Sequence, residues 1–219
     1  MILRISKVLE EPEVRALQDF AADNVFESGL KTAGWSARTV KDNQQLASGG
    51  AATAVSRTVE AALRRNDVFL AAAQPKAFCR TMLSRYEEGM SYGIHMDDPL
   101  IAGSRADLSF TLFLSPPGSY DGGELVLDTA DGETSIKLDE GDLVLYPTTF
   151  LHRVEKVASG TRLVCVGWIR SLIRLQAHRE ILFDLDSAAR VVFQREGKSP
   201  LFDQLSKAKS NLLRLWAED

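Results

Sequence analysis

The sequence predicts an α+β protein in which helices bracket a β core, folded as a sandwich or barrel with the jelly roll as one solution. Three observations predict this class. The middle of the chain alternates apolar and polar residues with a period of two. About eight short stretches of this kind follow one another with turn residues between them. Both flanking regions instead carry apolar residues at helical spacing.

The N-terminal region combines a short strand with two helices. Residues 1–5 are a strand candidate, and Pro12 suits the first turn of a helix. Apolar residues then recur at helical spacing, at Val14, Leu17, Ala21 and Val25. A second helix is predicted over 51–65, after the polar segment 41–45.

The β core is predicted between residues 77 and 172. Its clearest strand covers 107–115, where four apolar residues alternate with other side chains before Pro116 stops the pattern. Ala130-Asp131-Gly132 is a hairpin turn signal. The remaining strand candidates are 78–86, 92–97, 124–128, 134–138, 143–146, 152–157 and 162–169. We expect Leu108, Phe110, Leu112 and Leu114 to lie in the core.

The last part of the chain is helical again, with two predicted helices that are interrupted at 197–200. We expect one compact unit, with N-terminal helical support over 1–76, the jelly-roll core over 77–172 and a C-terminal helical extension over 173–219. The apolar residues of the extension could pack on the chain's own N-terminal helices, close one side of the core or form the surface of a homodimer. The sequence leaves these alternatives open.

Composition excludes several function classes. The 26 basic and 30 acidic residues give a net charge of -4, which argues against a general nucleic-acid binder. No stretch reaches the roughly 18 apolar residues that span a bilayer. Charges stand where a signal peptide would be apolar, and the two cysteines do not make a disulfide framework. We therefore expect a cytoplasmic protein without a nucleic-acid or membrane partner.

His95, Asp97 and His152 are the strongest candidates for a functional site. In an extended segment His95 and Asp97 point to the same face, and a jelly roll brings distant strand ends such as that of His152 to the same mouth. Two imidazoles and one carboxylate occupy one face of an octahedral metal and leave the other open, the pattern of non-haem Fe(II) oxygenases. Zinc suits the same donors.

Arg162 adds a permanently charged fork that can hold a carboxylate in two-point contact. Metal and anchor together suggest oxidation by Fe(II) and O2 with a 2-oxo acid as co-substrate. Tyr86 is a second candidate contact for that acid, since its hydroxyl can donate a hydrogen bond. Asn43 and Gln44 are candidate substrate contacts, because amides both donate and accept; a polar loop that caps the next helix is the alternative for both.

The motifs resemble a known family. Residues 85–97 are similar to the core motif of the prolyl-4-hydroxylase superfamily of Fe(II)/2-oxoglutarate oxygenases, and the blocks 112–114, 120–125, 141–147, 152–154 and 160–162 resemble the motifs that follow it. Within that superfamily the chain resembles the small bacterial PKHD-type hydroxylases, a group associated with iron uptake, over nearly its full length.

The resemblance implies a double-stranded β-helix that uses Fe(II), 2-oxoglutarate and O2, often with L-ascorbate to keep the iron reduced. It places metal ligation on His95, Asp97 and His152, the C5 carboxylate of 2-oxoglutarate on Arg162, and a supporting contact on Tyr86. The predicted function is hydroxylation of a small molecule or peptide with formation of succinate and CO2. Prolyl or lysyl specificity does not follow. A non-catalytic sensor of metal or 2-oxo acid on the same fold is the alternative.

Overall fold

The computed structural model describes residues 1–218, which fold into five α-helices and sixteen β-strands. The helices are α1 (Glu11–Ala22), α2 (Gly50–Arg65), α3 (Asp67–Ala73), α4 (Gln176–Glu196) and α5 (Pro200–Trp216). The strands are β1 (Leu3–Ile5), β2 (Phe26–Ser28), β3 (Lys41–Asp42), β4 (Gln44–Leu46), β5 (Pro75–Tyr86), β6 (Ser91–His95), β7 (Leu100–Ile101), β8 (Ser104–Arg105), β9 (Leu108–Phe113), β10 (Tyr120–Gly122), β11 (Leu125–Thr129), β12 (Gly132–Ile136), β13 (Leu143–Pro147), β14 (His152–Val154), β15 (Val157–Gly160) and β16 (Arg162–Ser171).

Two antiparallel sheets form the β core. The larger has the strand order β1-β13-β9-β16-β5-β4-β2, and the smaller has the order β12-β11-β14-β6-β3. Phe113 and Val164 of the larger sheet form one apolar cluster with Leu125 and Leu127 of the smaller, so the inner faces of the two sheets pack against each other. The predicted jelly-roll core between flanking helices is confirmed.

The outer face of the larger sheet packs on helices, which explains why every residue of β9 is buried. A second apolar cluster joins this face to α1, α2 and α3; it includes Val14, Leu17, Val59, Leu63, Phe69, Leu108, Phe110 and Leu112. The apolar side of β9 therefore lies under the helices, as the alternation predicts. Ser109 and Thr111 on its other side line a cavity between the sheets.

Helix ends follow local capping chemistry. The Phe69 N–H donates to Asn66 Oδ1 at 2.9 Å at the start of α3, and the Phe202 N–H donates to Ser199 Oγ at 3.2 Å at the start of α5. Pro200 lies in the first turn of α5, where the backbone N–H that proline lacks would have no acceptor within the helix. Helix α5 folds back along α4, and α4 packs on α3. The extension thus packs on the chain's own N-terminal helices, and the homodimer surface stays a prediction.

Several elements differ from the sequence-based prediction. The polar segment 41–45, for which a capping loop is the alternative given above, instead contains β3, an edge strand of the smaller sheet, and most of β4, which lies between β5 and β2 in the larger sheet. The predicted strand 152–157 is divided into β14 and β15. Strand β2 and helix α3 were not predicted. Among residues 1–218, no helix combines the length and apolar composition needed to cross a lipid bilayer.

Candidate metal centre

His95 and His152 lie opposite each other at the ends of neighbouring strands. They are register partners in the antiparallel pairing of β6 with β14, and their ring centres are 4.2 Å apart. Asp97 follows β6 by two residues. One ligand atom from each of the three side chains lies within 4.8 Å of the others, so the three can share a single ion.

Backbone carbonyls set which nitrogen each histidine offers. His95 Nδ1 lies 2.8 Å from the Gly93 carbonyl oxygen, and His152 Nδ1 lies 3.1 Å from that of Phe150. A carbonyl only accepts, so both Nδ1 atoms carry the proton and both Nε2 lone pairs are free for a metal. Such outer contacts also fix the orientation of the rings.

Asp97 is oriented by a serine on the facing sheet. Ser109 Oγ donates to Asp97 Oδ2 at 2.6 Å, which leaves Oδ1 available at 3.9 Å from His152 Nε2. Ser109 is on β9, so the larger sheet positions a group that the smaller sheet carries. Sequence reasoning did not identify this serine, although it occupies a polar position of the clearest predicted strand.

The surroundings keep the His95 imidazole uncharged. Burial, helped by the neighbouring His152, lowers the pKa of His95 to about 4. The Tyr92 ring stacks on His95 with a centre-to-centre distance of 3.5 Å, and Tyr146 meets the edge of His152 at 5.5 Å. Neutral imidazoles with a carboxylate are a donor set for Fe(II) or Zn(II), and the adjoining cavity leaves room for small ligands.

Arg162 lies in the same cavity, with its side chain enclosed by aromatic rings. It is only 1% exposed, and its guanidinium carbon is 5.1 Å from the centre of the Tyr86 ring and 5.6 Å from that of Phe113. Its Nε is buried and has no hydrogen-bond partner among residues 1–218. No acidic side chain in that range forms an ion pair with it. A ligand carboxylate would supply the missing partner.

Two further aromatic hydroxyls border this arginine. Burial raises the pKa of Tyr86, while the charge of Arg162 opposes the rise, so the phenol stays a neutral donor. The Tyr120 hydroxyl is buried and lacks a hydrogen-bond partner within residues 1–218. Tyr120 was not predicted as a site residue, although it opens the block 120–125. Gly123 packs so closely here that a Cβ would lie 3.0 Å from Arg162 Cδ.

Asn43 and Gln44 have different surroundings. Asn43 is buried, lines the cavity and has an Oδ1 atom without a partner among residues 1–218. Gln44 does not line the cavity, and its Oε1 accepts a hydrogen bond from Arg85 Nε at 2.9 Å. Gln45 lines the cavity instead, because alternate residues of an extended segment point to the same side. Gln44 therefore points away from the cavity, and the substrate contact stays a prediction for both residues.

Family models match most of the chain. Residues 81–170 match the model of the 2OG-Fe(II) oxygenase superfamily, and residues 176–218 match that of the PKHD-type hydroxylase C-terminal domain. A PKHD-type hydroxylase of Maricaulis maris is 49% identical over 219 residues, and one of Gloeothece citriformis is 48% identical over 220 residues. Both alignments cover 100% of this chain and 100% of the relative.

Solved structures with the same fold include two prolyl hydroxylases. A Pseudomonas putida prolyl-4-hydroxylase has a TM-score of 0.54 and 22% identity, covering 78% of this chain and 92% of that chain. A Trichoplax adhaerens prolyl hydroxylase, in complex with a hypoxia inducible factor peptide fragment, has a TM-score of 0.56 and 16% identity. That match covers 77% of this chain and 83% of the other.

Proposed function

Since the chain belongs to the PKHD-type hydroxylases of the 2OG-Fe(II) oxygenase superfamily, we propose that His95, Asp97 and His152 hold its Fe(II) and that Arg162 holds 2-oxoglutarate. Membership makes the protein a dioxygenase that uses Fe(II), 2-oxoglutarate and O2, and it confirms the predicted oxidoreductase class. The catalytic prediction is thereby favoured over a non-catalytic sensor.

One observation carries the assignment of the metal ligands. One ligand atom from each side chain lies within 4.8 Å of the others, while both Nδ1 atoms and Asp97 Oδ2 are already bonded to Gly93, Phe150 and Ser109. Such an arrangement is set up before an ion arrives, so little reorganisation opposes binding. Zn(II) fits the same donors, and family membership favours iron.

Arg162 is the group we assign to the far carboxylate of 2-oxoglutarate, with Tyr86 as the supporting donor. The argument is the buried cation itself: it lies in the cavity of the three metal ligands and lacks a carboxylate among residues 1–218. Bound Fe(II) supplies the site where O2 oxidises the substrate as 2-oxoglutarate is converted to succinate and CO2. The protein's own residues orient both reactants and exclude water.

The substrate is proposed to be a small molecule or a peptide that enters the same cavity. The residues of the cavity wall to which no role in binding the metal or 2-oxoglutarate is assigned include Asn43, Gln45 and Trp168. L-ascorbate as a reductant, a cytoplasmic location and a homodimer remain proposals from the sequence. So does the division of the chain at residues 76 and 172.

The test combines succinate release with ligand binding. Protein loaded with Fe(II) should convert 2-oxoglutarate to succinate in air, at least slowly without substrate. His95→Ala and His152→Ala should lose at least 90% of this turnover, roughly tenfold or more. His178→Ala is the matched control, because His178 stacks on Trp216 at 3.9 Å, away from the cavity. Full turnover in either ligand variant would refute the assignment, whereas binding of Fe(II) and 2-oxoglutarate without succinate would indicate the sensor.

A further inference from the structure

Lys41 is a buried cation on the cavity wall that the proposed function leaves without a role. Its residue surface is only 9% exposed, and it is the register partner of Tyr92 in the pairing of β3 with β6. Its Nζ donates to Thr32 Oγ1 at 3.1 Å and lies 5.0 Å from the centre of the Tyr92 ring. That ring in turn stacks on His95, so the ammonium is close to the candidate metal centre.

Burial at this position removes water from the charged ammonium group of Lys41. None of the ion pairs among residues 1–218 includes Lys41, and Thr32 accepts only one of its three hydrogen bonds. Burial is the main reason that the pKa of Lys41 is lowered to about 8; the charge of Asp97 opposes the shift, and that of Arg80 contributes to it. A buried charge without a partner is costly, and a ligand of opposite charge would remove that cost.

Arg80 and Trp168 extend the donor surface next to Lys41. They are register partners on β5 and β16, and both line the cavity. Arg80 takes part in no ion pair within residues 1–218, and the buried indole N–H of Trp168 has no acceptor in that range. An ammonium, a guanidinium and an indole N–H can only donate hydrogen bonds, so this part of the wall suits a ligand group that accepts them.

The remaining ionisable groups of the cavity do not neutralise this surface. Asp97 is assigned to the metal, and Asp98 is exposed at the rim. Burial raises the pKa of Tyr86, Tyr92 and Tyr146, so all three phenols are neutral. Since Arg162 is assigned to 2-oxoglutarate, Lys41 and Arg80 are the two cations that face the space left for the substrate.

Resting on the proposed function, we propose that Lys41 and Arg80 bind a carboxylate of the substrate, so that this enzyme oxidises a carboxylate-bearing molecule. Lys41 supplies the charge and Arg80 a planar pair of donors that matches the two carboxylate oxygens. The proximity of Lys41 to Tyr92 and His95 places this carboxylate beside the metal and therefore close to the carbon that reacts.

The experiment measures binding to the full chain loaded with Fe(II) and saturating 2-oxoglutarate under anaerobic conditions. The probes are small aliphatic, aromatic and N-acetyl-amino carboxylic acids, each paired with its primary amide, and affinities are obtained by calorimetry. Lys41→Gln retains a donor for Thr32 without the charge, and Lys41→Met removes both. Lys76→Gln is the matched control, since Lys76 is a partly buried lysine of β5 outside the cavity.

We expect the wild-type protein to bind the acids more tightly than their amides. Lys41→Gln should lower its affinity for the acids tenfold or more without changing its affinity for the amides, and Lys76→Gln should change neither affinity. Equal binding of acids by the wild-type and Lys41→Gln proteins would overturn the proposal, as would a panel in which no acid exceeds its amide. Calorimetry of 2-oxoglutarate alone is run first. If it fails to bind, or binds without dependence on Arg162, the proposed function fails instead.

Discussion

Arg162 and Tyr86 occupy opposite register positions on β16 and β5, and the guanidinium carbon lies 5.1 Å from the centre of the tyrosine ring. Strand pairing therefore brings a buried cation and a phenol together in the cavity of the metal-ligand candidates. The aromatic faces of Tyr86 and Phe113 offset part of the desolvation of the guanidinium without occupying its hydrogen-bond donors.

Arg162→Met should separate ligand binding from folding. We expect 2-oxoglutarate to bind about 30-fold more weakly or worse, because a buried charge pair is worth about 2–5 kcal/mol to a complex. The ligand-free protein should become more stable, by about 1–3 kcal/mol, because the unpaired buried charge is removed. Metal affinity should not change. Calorimetry and urea unfolding measure the three quantities, and unaltered affinity for 2-oxoglutarate would remove Arg162 from its assigned role.

Ser109→Ala should weaken metal binding without altering the ligand set. The variant removes the hydrogen bond of 2.6 Å that orients Asp97 Oδ2, and loss of such an outer contact typically lowers metal affinity about 10- to 100-fold. Ser84→Ala is the control, since Ser84 is also buried in the cavity wall but touches no metal ligand through a hydrogen bond. Chelator competition with Fe(II) or Mn(II) gives the affinities, and equal values for both variants would contradict the positioning role.

Gly123→Ala should impair the co-substrate site more than its backbone strain explains. Gly123 has φ +67°, and an added Cβ would lie 3.0 Å from Arg162 Cδ and 3.1 Å from Tyr120 Cε2. Gly132 also has positive φ, at +107°, but an added Cβ meets nothing within 4 Å. Both alanine variants should lose about 1–2 kcal/mol of stability. Only Gly123→Ala should weaken 2-oxoglutarate binding, by about tenfold; equal affinities would refute the contact.

Acid should destabilise the metal-free protein through His95. Its folded pKa of about 4 lies below the ordinary 6.5, so the unfolded chain binds the proton first as the pH falls. The loss begins near pH 6.5, is complete near pH 4, and should reach about 1–3 kcal/mol. Urea unfolding at pH 7 and pH 4 tests this. The loss should shrink in His95→Gln but not in His178→Gln, and an unchanged loss in His95→Gln would contradict it.

Lys41→Met should stabilise the ligand-free protein at neutral pH. The folded pKa of about 8 lies below the ordinary 10.5, so burial of the charge opposes folding fully below pH 8. Between these values the folded protein releases the proton first, and the penalty fades. We expect a gain of about 1–3 kcal/mol at pH 7 that disappears toward pH 10.5. Urea unfolding across this range is the measurement; a gain independent of pH would point to packing rather than charge.

Sequence reasoning singled out the three residues that converge in the candidate metal centre because their signal is local and chemical. His95 and Asp97 are two residues apart on one strand, and His152 stands at the start of another. The order of the motif blocks between residues 85 and 162 indicates the fold as well. Arg162 could be singled out from the sequence in the same way, since it follows a turn at the start of the last strand.

The substrate contacts were harder to predict from the sequence, because they depend on the direction in which the side chains of short polar strands point. Strands β3 and β4 have two and three residues and lack a hydrophobic period. A shift of one residue reverses their side chains, which is why Gln45 rather than Gln44 lines the cavity. No sequence feature singles out Lys41, and only the pairing of β3 with β6 buries it beside Tyr92.

The amino-acid order by itself determined the fold class, the family and the chemical types of the candidate metal donors, since these depend on periodicity and motif spacing. Only the tertiary structure decided which serine orients Asp97 and which cations remain unpaired. These properties depend on contacts between β9 and the end of β6, or between β3 and β6, that are distant in the chain. Long-range pairing sets them, and no local pattern encodes its register.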